Sequence, residues 1–398
     1  AGFMAAIKAA EDGVRSVVIF EKTGRFLEKV RISGGGRCNV TNACWVPKDL
    51  AVNYPRGQTA LIGAFSNFAS GDAFSWFEER GLELVAEKDG RLFPKSNSSN
   101  EVIVCLKKAA KRAGVIFTSQ MPIKDITYLG DKGFLLKSKG ENIFHARKIL
   151  LATGGDASGK KLASNLGHNL ISAVPSLFSF KFANPSFKEC SGTAINNVKL
   201  RLLIQDSSFE EEGRILITHQ GISGPAVLKL SAFAARKLHE SKYKAQLLIR
   251  WVNKSKESIH RSLINFRIQQ ARKLIINVQP FHEIPKRLWS IILMEINIPA
   301  NLKWSSLSKS QENILANFLY RNSILVVGKG PYGEEFVTAG GVDLNEVQFK
   351  TMESRLCKGL YFAGEILNVD GLTGGFNFQH CWTSAWIAGR SVAKELKF

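Results

Sequence analysis

Residues 3–10 are rich in alanine at helical spacing and stop near Gly13, after which Val17-Val18-Ile19-Phe20 forms a short apolar run ending at Glu21-Lys22. Small residues let a helix lie close on a sheet, and four β-formers ending in an acid suit a buried parallel strand. The opening therefore predicts the second half of a βαβ unit. A glycine-rich loop with polar teeth follows, Arg31-Ile32-Ser33-Gly34-Gly35-Gly36-Arg37-Cys38-Asn39-Val40-Thr41-Asn42. Periodicity then predicts helices at 59–69, 73–80 and 99–113, strands at 115–118, 123–128 and 134–137, and a buried strand at 148–151 that runs into glycines.

From about Pro175 the pattern changes. Lys199 and Arg201 alternate with Val198, Leu200 and Leu202, as in a half-buried antiparallel strand. Residues 214–218, 243–251 and 323–328 read similarly and predict a small sheet or barrel, with helices at 256–275, 285–296 and 307–319. The α/β pattern returns at 336–342 and 359–365, and a helix over 379–396 closes the chain. The middle region reads as an insert.

A chain of 398 residues has room for two or three domains. With 45% apolar and 22% charged residues, wholesale disorder and fibrous repeats are excluded. No apolar run reaches the ~18 residues of a spanning helix, so no membrane partner is expected. Six scattered cysteines without a C-x-x-C pair argue against a disulfide framework or a zinc cluster, and a cytoplasmic location fits best. Charge is the abnormal quantity: 54 Lys+Arg against 34 Asp+Glu gives +20. Residues 236–309 hold fifteen Lys/Arg and four Asp/Glu, over half of that excess. On the 256–275 helix Arg261, Asn265, Gln269 and Arg272 share a face while Lys256 and Arg267 point elsewhere. Without one clean basic stripe, a solvated surface or steering of an anionic substrate is the better reading, and nucleic acid is not the expected partner.

Gly2 can be the third glycine of a G-x-G-x-x-G fingerprint, with Glu21 nineteen residues on, near the expected ~20. The strand and first glycines are missing, so the N-terminus reads as truncated. A packing glycine in an ordinary βαβ unit is the alternative. Near the other end, Gly364-Glu365 and Asp370-Gly371-Leu372-Thr373-Gly374-Gly375-Phe376-Asn377-Phe378 run onto a helix N-terminus, which can offer N–H donors to an anionic flavin edge. Two nucleotide-type motifs at opposite chain ends favour one extended ligand, FAD. Gly34, Gly35 and Gly36 expose amides that Arg37 and Asn39 supplement, for cofactor phosphate or a substrate carbonyl. Cys38 lies among them without a redox partner and reads as an inert thiol. Gly328-Lys329-Gly330-Pro331-Tyr332-Gly333 also matches G-x-G-x-x-G, but Glu334-Glu335-Phe336-Val337-Thr338 reads as a strand where a helix is required, so it is a turn. No histidine pair has metal-ligand spacing and no G-x-S-x-G elbow occurs. His219, in a glycine-flanked turn, is the best candidate for a functional histidine, with a structural hydrogen bond in that turn as the favoured alternative.

The strings 32–42, Leu151-Ala152-Thr153-Gly154-Gly155, 217–225, 337–342 with 351–354, and 359–378, in that order, resemble the bacterial HI0933-like (BaiN/YhiN-like) FAD-dependent oxidoreductases over essentially the whole chain. The resemblance implies an α/β fold: a doubly wound Rossmann-type FAD domain of the glutathione-reductase type, first strand missing, over 1–172 and 334–398. The implied insert, 173–333, combines a small β-barrel (173–255 and 320–333) with a helical subdomain (256–319). It implies FAD contacts at Gly2, Glu21, Lys22, Gly34, Gly35, Gly36, Arg37, Cys38, Asn39, Ala152, Thr153, Gly154, Gly364, Glu365, Asp370, Gly371, Gly374, Gly375, Phe376 and Asn377, with the Ile123 backbone at adenine. The short Asp156-Ala157-Ser158-Gly159-Lys160 loop departs from the family, which leaves substrate contacts there open. The expected reaction passes hydride from NAD(P)H or substrate through FAD to a small-molecule acceptor, O2 or a conjugated enone; some family members reduce a double bond conjugated to a steroid ketone. Arg37 would polarise a carbonyl and His219 move a proton. A flavin-dependent RNA-modifying protein, or a truncated chain with impaired FAD binding, are the alternatives.

Overall fold

The computed structural model describes residues 1–184, 187–330 and 337–396. It separates into two compact units, Ala1–Ala173 with Thr338–Phe398, and Val174–Val337.

In the first unit the helix Gly2–Glu11 buries Phe3, Met4, Ile7 and a row of alanines. It packs on the long C-terminal helix Phe376–Leu396, and the two backbones nearly touch: a Cβ on Gly389 would lie 2.4 Å from the Ala5 carbonyl oxygen. Their shared core takes in Phe77, Val102, Leu106 and Trp382. Two parallel strand pairs carry the α/β pattern, Val18–Phe20 with Ile116–Thr118 and Ile149–Leu151 with Leu360–Phe362. The first strand is less buried than its composition predicts, Val18 keeping 43% of its surface, because among the described residues it has a ladder on one edge only.

The second unit is a closed six-stranded antiparallel barrel in the order Phe180–Phe182, Gly221–Ser223, Ser207–Thr218, Ala194–Ile204, Ala245–Arg250, Asn322–Lys329. Inward-facing Val198, Leu200, Leu202, Ile215, Ile217, Leu247 and Ile249 alternate with outward polar residues, as a half-buried strand requires. The acidic run Glu210-Glu211-Glu212 is strand: Arg201 stands opposite Glu210 and Lys199 opposite Glu212, and both cations reach Glu210. The helices Lys256–Gln269, Lys286–Glu295 and Lys309–Tyr320 share the barrel's core instead of forming one of their own. The first of them stops at Gln269, short of 275, because Trp304 N–H and Ile275 N–H pair with the Lys273 and Leu302 carbonyls and draw the chain into extended form. Arg272 therefore lies beyond that helix. Gly328 and Lys329 belong to a barrel strand and Gly330 N–H bonds the Ser179 carbonyl at 2.8 Å; Pro331 to Phe336, and with them the last three positions of the G-x-G-x-x-G match and the start of the predicted 336–342 strand, lie outside the described residues. No helix among the described residues is long and apolar enough to cross a membrane.

The Gly389 contact yields a reversal of the usual rule. Glycine to alanine inside a helix ordinarily gains up to ~1 kcal/mol, but Gly389→Ala should cost about 2 kcal/mol through overpacking. Urea denaturation followed by circular dichroism checks this, and a neutral or stabilising result would show that the helices separate freely.

Candidate functional site

The carboxyl ends of the Val18–Phe20, Ile149–Leu151 and Leu360–Phe362 strands carry Glu21, Ala152-Thr153-Gly154 and Gly364-Glu365. Gly2 lies against Ala152, and Gly364 against Ala1 and Cys381, with ideal Cβ positions 3.6 Å and 3.1 Å from those neighbours. Gly154 lies beside Glu365, whose carboxylate pairs with Lys29. Lys22 pairs with Asp156, and that hydrogen bond, with one from Ser158, holds the Asp156 carboxyl down to about 2. Met121 N–H bonds the Glu21 carbonyl at 2.9 Å, which brings the start of the Ile123–Tyr128 strand to this corner. Glu21 accepts Thr23 N–H and hydroxyl on one oxygen.

The glycine loop follows directly on the helix Glu28–Ile32, which carries Lys29 to the same region. Gly34, Gly35 and Gly36 all take positive φ, and ideal Cβ atoms on Gly35 and Gly36 would meet nothing within 4 Å. Gly375 is pressed so tightly on the Thr41 carbonyl that a Cβ would sit 2.4 Å from its oxygen and 2.9 Å from Asn39 Oδ1. Asn42 donates to the Gly374 carbonyl at 2.9 Å. Asn39 Oδ1 is buried and has no hydrogen-bond partner. Among the described residues the N–H groups of Asn377 and Phe378 likewise find no acceptor, as the first turn of a helix leaves them.

Several expected contacts are spent elsewhere. Arg37 is committed to Glu87 at 2.6 Å and Asn97 at 2.8 Å and lies 3.9 Å over the Phe93 ring, so its guanidinium braces the loop. The Asp370 carboxylate is fully buried and taken by Arg56. Cys38 is buried in the core, and burial pushes its thiol up to about 11, leaving only its backbone for a ligand. His219 is exposed in the tight turn between two barrel strands and belongs to the other unit from Arg37. Lys29, Tyr54 and Arg56 escaped the sequence reading because no motif spacing marks them.

A Ser354–His168–Glu346 chain has 3.0 Å links and superficially resembles a hydrolytic triad. Ser354 is buried and its oxygen already accepts Leu356 and Cys357 N–H, so it has neither access nor a free lone pair. No group of three or more metal-binding side chains occurs among the described residues.

A parallel α/β unit with glycines at its strand ends and an inserted barrel defines a Rossmann-type protein. The chain belongs to the HI0933-like family, whose Rossmann-domain model matches residues 1–391. It is 28% identical over 403 residues to the 3-dehydro-bile acid delta(4,6)-reductase of Clostridium scindens, covering 99% of this chain and 97% of that one. It is also 28% identical over 405 residues to the ribosomal RNA dihydrouridine synthase of Escherichia coli, covering 98% and 95%. The solved 3-ketosteroid delta1-dehydrogenase of Sterolibacterium denitrificans shares the fold at TM-score 0.51 and 12% identity, over 99% of this chain and 97% of that one.

His380 gives this region a pH dependence. It is fully buried, its Nε2–H donates to the Gly364 carbonyl at 3.3 Å, and burial drives its pKa down from 6.5 to about 4. Below pH 6.5 the unfolded imidazole takes up a proton that the folded one refuses until about pH 4, so stability rises with pH across that window and falls on acidification. The loss from pH 7 to 4.5 should be about 2 kcal/mol. Urea unfolding of wild type and His380→Gln at both pH values measures it; equal losses in the two proteins would assign the effect elsewhere.

Proposed function

We propose that this oxidoreductase binds FAD along the strand ends of the α/β unit and reduces a carbon–carbon double bond conjugated to a carbonyl, with NAD(P)H as transient reductant. The observation that carries the reading is a set of unsatisfied polar groups on the segments that meet at Gly375: Asn39 Oδ1, beside Gly375, and the Asn377 and Phe378 N–H groups lack partners among the described residues, and the neighbouring Gly35 and Gly36 face open space. A dinucleotide of flavin type fits that mixed set: its anionic parts suit the two N–H donors, and its hydroxyl and imide N–H groups suit the Asn39 acceptor. Bound FAD supplies the two-electron hydride chemistry.

The chain's own residues do the rest. Gly2 at a helix N-terminus gives the pyrophosphate close approach to backbone N–H groups. Lys29 adds positive charge beside Glu365. Glu21, with one oxygen engaged by Thr23, offers the other to a ribose hydroxyl. The amides at Asn377 and Phe378 would oppose negative charge on the ring edge of a bound flavin. All six cysteines are free, as in a reducing cytoplasm. The two relatives support the bond type: a delta(4,6)-reductase of a 3-dehydro-bile acid and a dihydrouridine synthase both name the saturation of a double bond conjugated to a carbonyl.

For the substrate, a specific observation favours a uracil in RNA as a second reading beside a polycyclic enone. Arg261, Arg272, Lys273, Lys286, Arg287, Lys303 and Lys309 are exposed in the barrel unit, and none has a carboxylate in ion-pair reach among the described residues. Solvated charge of that density suits a polyanion.

The purified protein should show a flavin spectrum that bleaches anaerobically with NADPH or NADH. Recolouring by a 3-oxo-Δ4 steroid supports the small-molecule reading, and salt-sensitive recolouring by a ribosomal RNA fragment supports the RNA reading. A colourless protein that cannot be reconstituted with FAD would overturn the proposal.

A further inference from the structure

The turn that leads onto the C-terminal helix is held from outside by one short segment, Asn53–Arg56, lying between the helices Pro47–Ala51 and Gln58–Phe65. Leu372 N–H donates to the Asn53 carbonyl at 2.9 Å. The Tyr54 hydroxyl, fully buried, donates to the Phe376 carbonyl at 2.6 Å. Arg56 grips both oxygens of Asp370, whose side chain is 0% exposed, and the two residues also form a backbone bridge. Inside the turn, the Asn377 side chain accepts Gly371 N–H at 2.9 Å and donates to its carbonyl at 2.8 Å. Both ends of the turn, Asp370 and Phe376, are thus fixed to the Asn53–Arg56 segment.

A buried ion pair is weak as a source of stability, since two apolar residues would serve as well. What a bidentate guanidinium–carboxylate pair adds is a fixed orientation. Orientation matters here because the favourable potential of a helix N-terminus decays within its first turn.

Resting on the FAD reading above, we propose that Arg56 and Tyr54 are positioning residues: they hold the 370–377 turn so that the Asn377 and Phe378 amides stabilise negative charge on the reduced flavin more than they stabilise the oxidised ring. Tyr54 is fully buried and the Arg56 guanidinium is engaged by Asp370, so both act through the turn. Their effect falls on the difference in affinity between the two redox forms.

The test uses the full chain loaded with FAD and three variants. Tyr54→Phe removes one hydrogen bond. Arg56→Met combined with Asp370→Asn removes both charges and leaves no unpaired ion buried. Arg56→Lys keeps the charge without the planar fork. The readouts are Kd for oxidised and reduced FAD, the midpoint potential by dye equilibration, and the urea midpoint. Tyr54→Phe and the double variant should bind reduced FAD about tenfold more weakly relative to oxidised FAD, which for a two-electron couple is a fall of about 30 mV in potential. Arg56→Lys should fall between them and wild type. If Tyr54→Phe and the double variant keep the wild-type potential, whatever their urea midpoints, the contacts are only structural and the proposal is wrong. A wild-type chain that takes up no FAD overturns the cofactor reading itself, and this inference with it.

Discussion

The first unit depends on one close crossing, that of Gly389 over the Ala5–Ala9 stretch of the opening helix. Side chains on either helix would push the backbones apart; a glycine against alanines lets them meet. The contact joins the beginning of the chain to its end. Through it, Gly2 on one helix and Phe376 at the start of the other come to the same set of strand ends as Gly154 and Glu365, although hundreds of residues separate them in sequence.

At those strand ends the acids do not stand alone. Glu365 has Lys29, Asp156 has Lys22, and Asp370 has Arg56. Unpaired carboxylates crowded together would repel one another and any anion brought near, and each pairing removes that repulsion locally. The pairs differ in character. Those of Glu365 and Asp156 are solvent-accessible and free to re-form around a ligand, whereas that of Asp370 is buried and fixed. The site thus combines adjustable charge at its open side with rigid geometry beneath the C-terminal turn.

Much of this was legible in the sequence. Alanine spacing located the first helix, the apolar runs ending in Gly or Glu located the strand ends, and alternation at Val198–Leu202 located the barrel. Alternation marks only the apolar half of the strand Ser207–Thr218, because its acidic half is stabilised by cations on a neighbouring strand that periodicity cannot pair. The periodicity at 256–275 outruns the helix itself, since what ends the helix is a backbone partner, Leu302, distant in sequence. Arg37 and Asp370 stood in motifs, yet their charges are consumed by Glu87 and Arg56, long-range partners with no spacing rule. Local pattern reports where the backbone turns and lies open; it does not report which side chains are already engaged.

The neck of the insertion has a consequence for how the protein can vary. Gly340 packs on the backbone of Ile171–Ala173 within the first unit, so the segments where the chain leaves that unit and returns to it run side by side. The α/β unit therefore meets the whole inserted region as a single loop that is already closed. Loop-closure entropy grows only with the logarithm of loop length. An inserted module can gain helices, shed them or change its surface charge at almost no entropic cost to the sheet, which makes the barrel unit the part of the chain free to diverge.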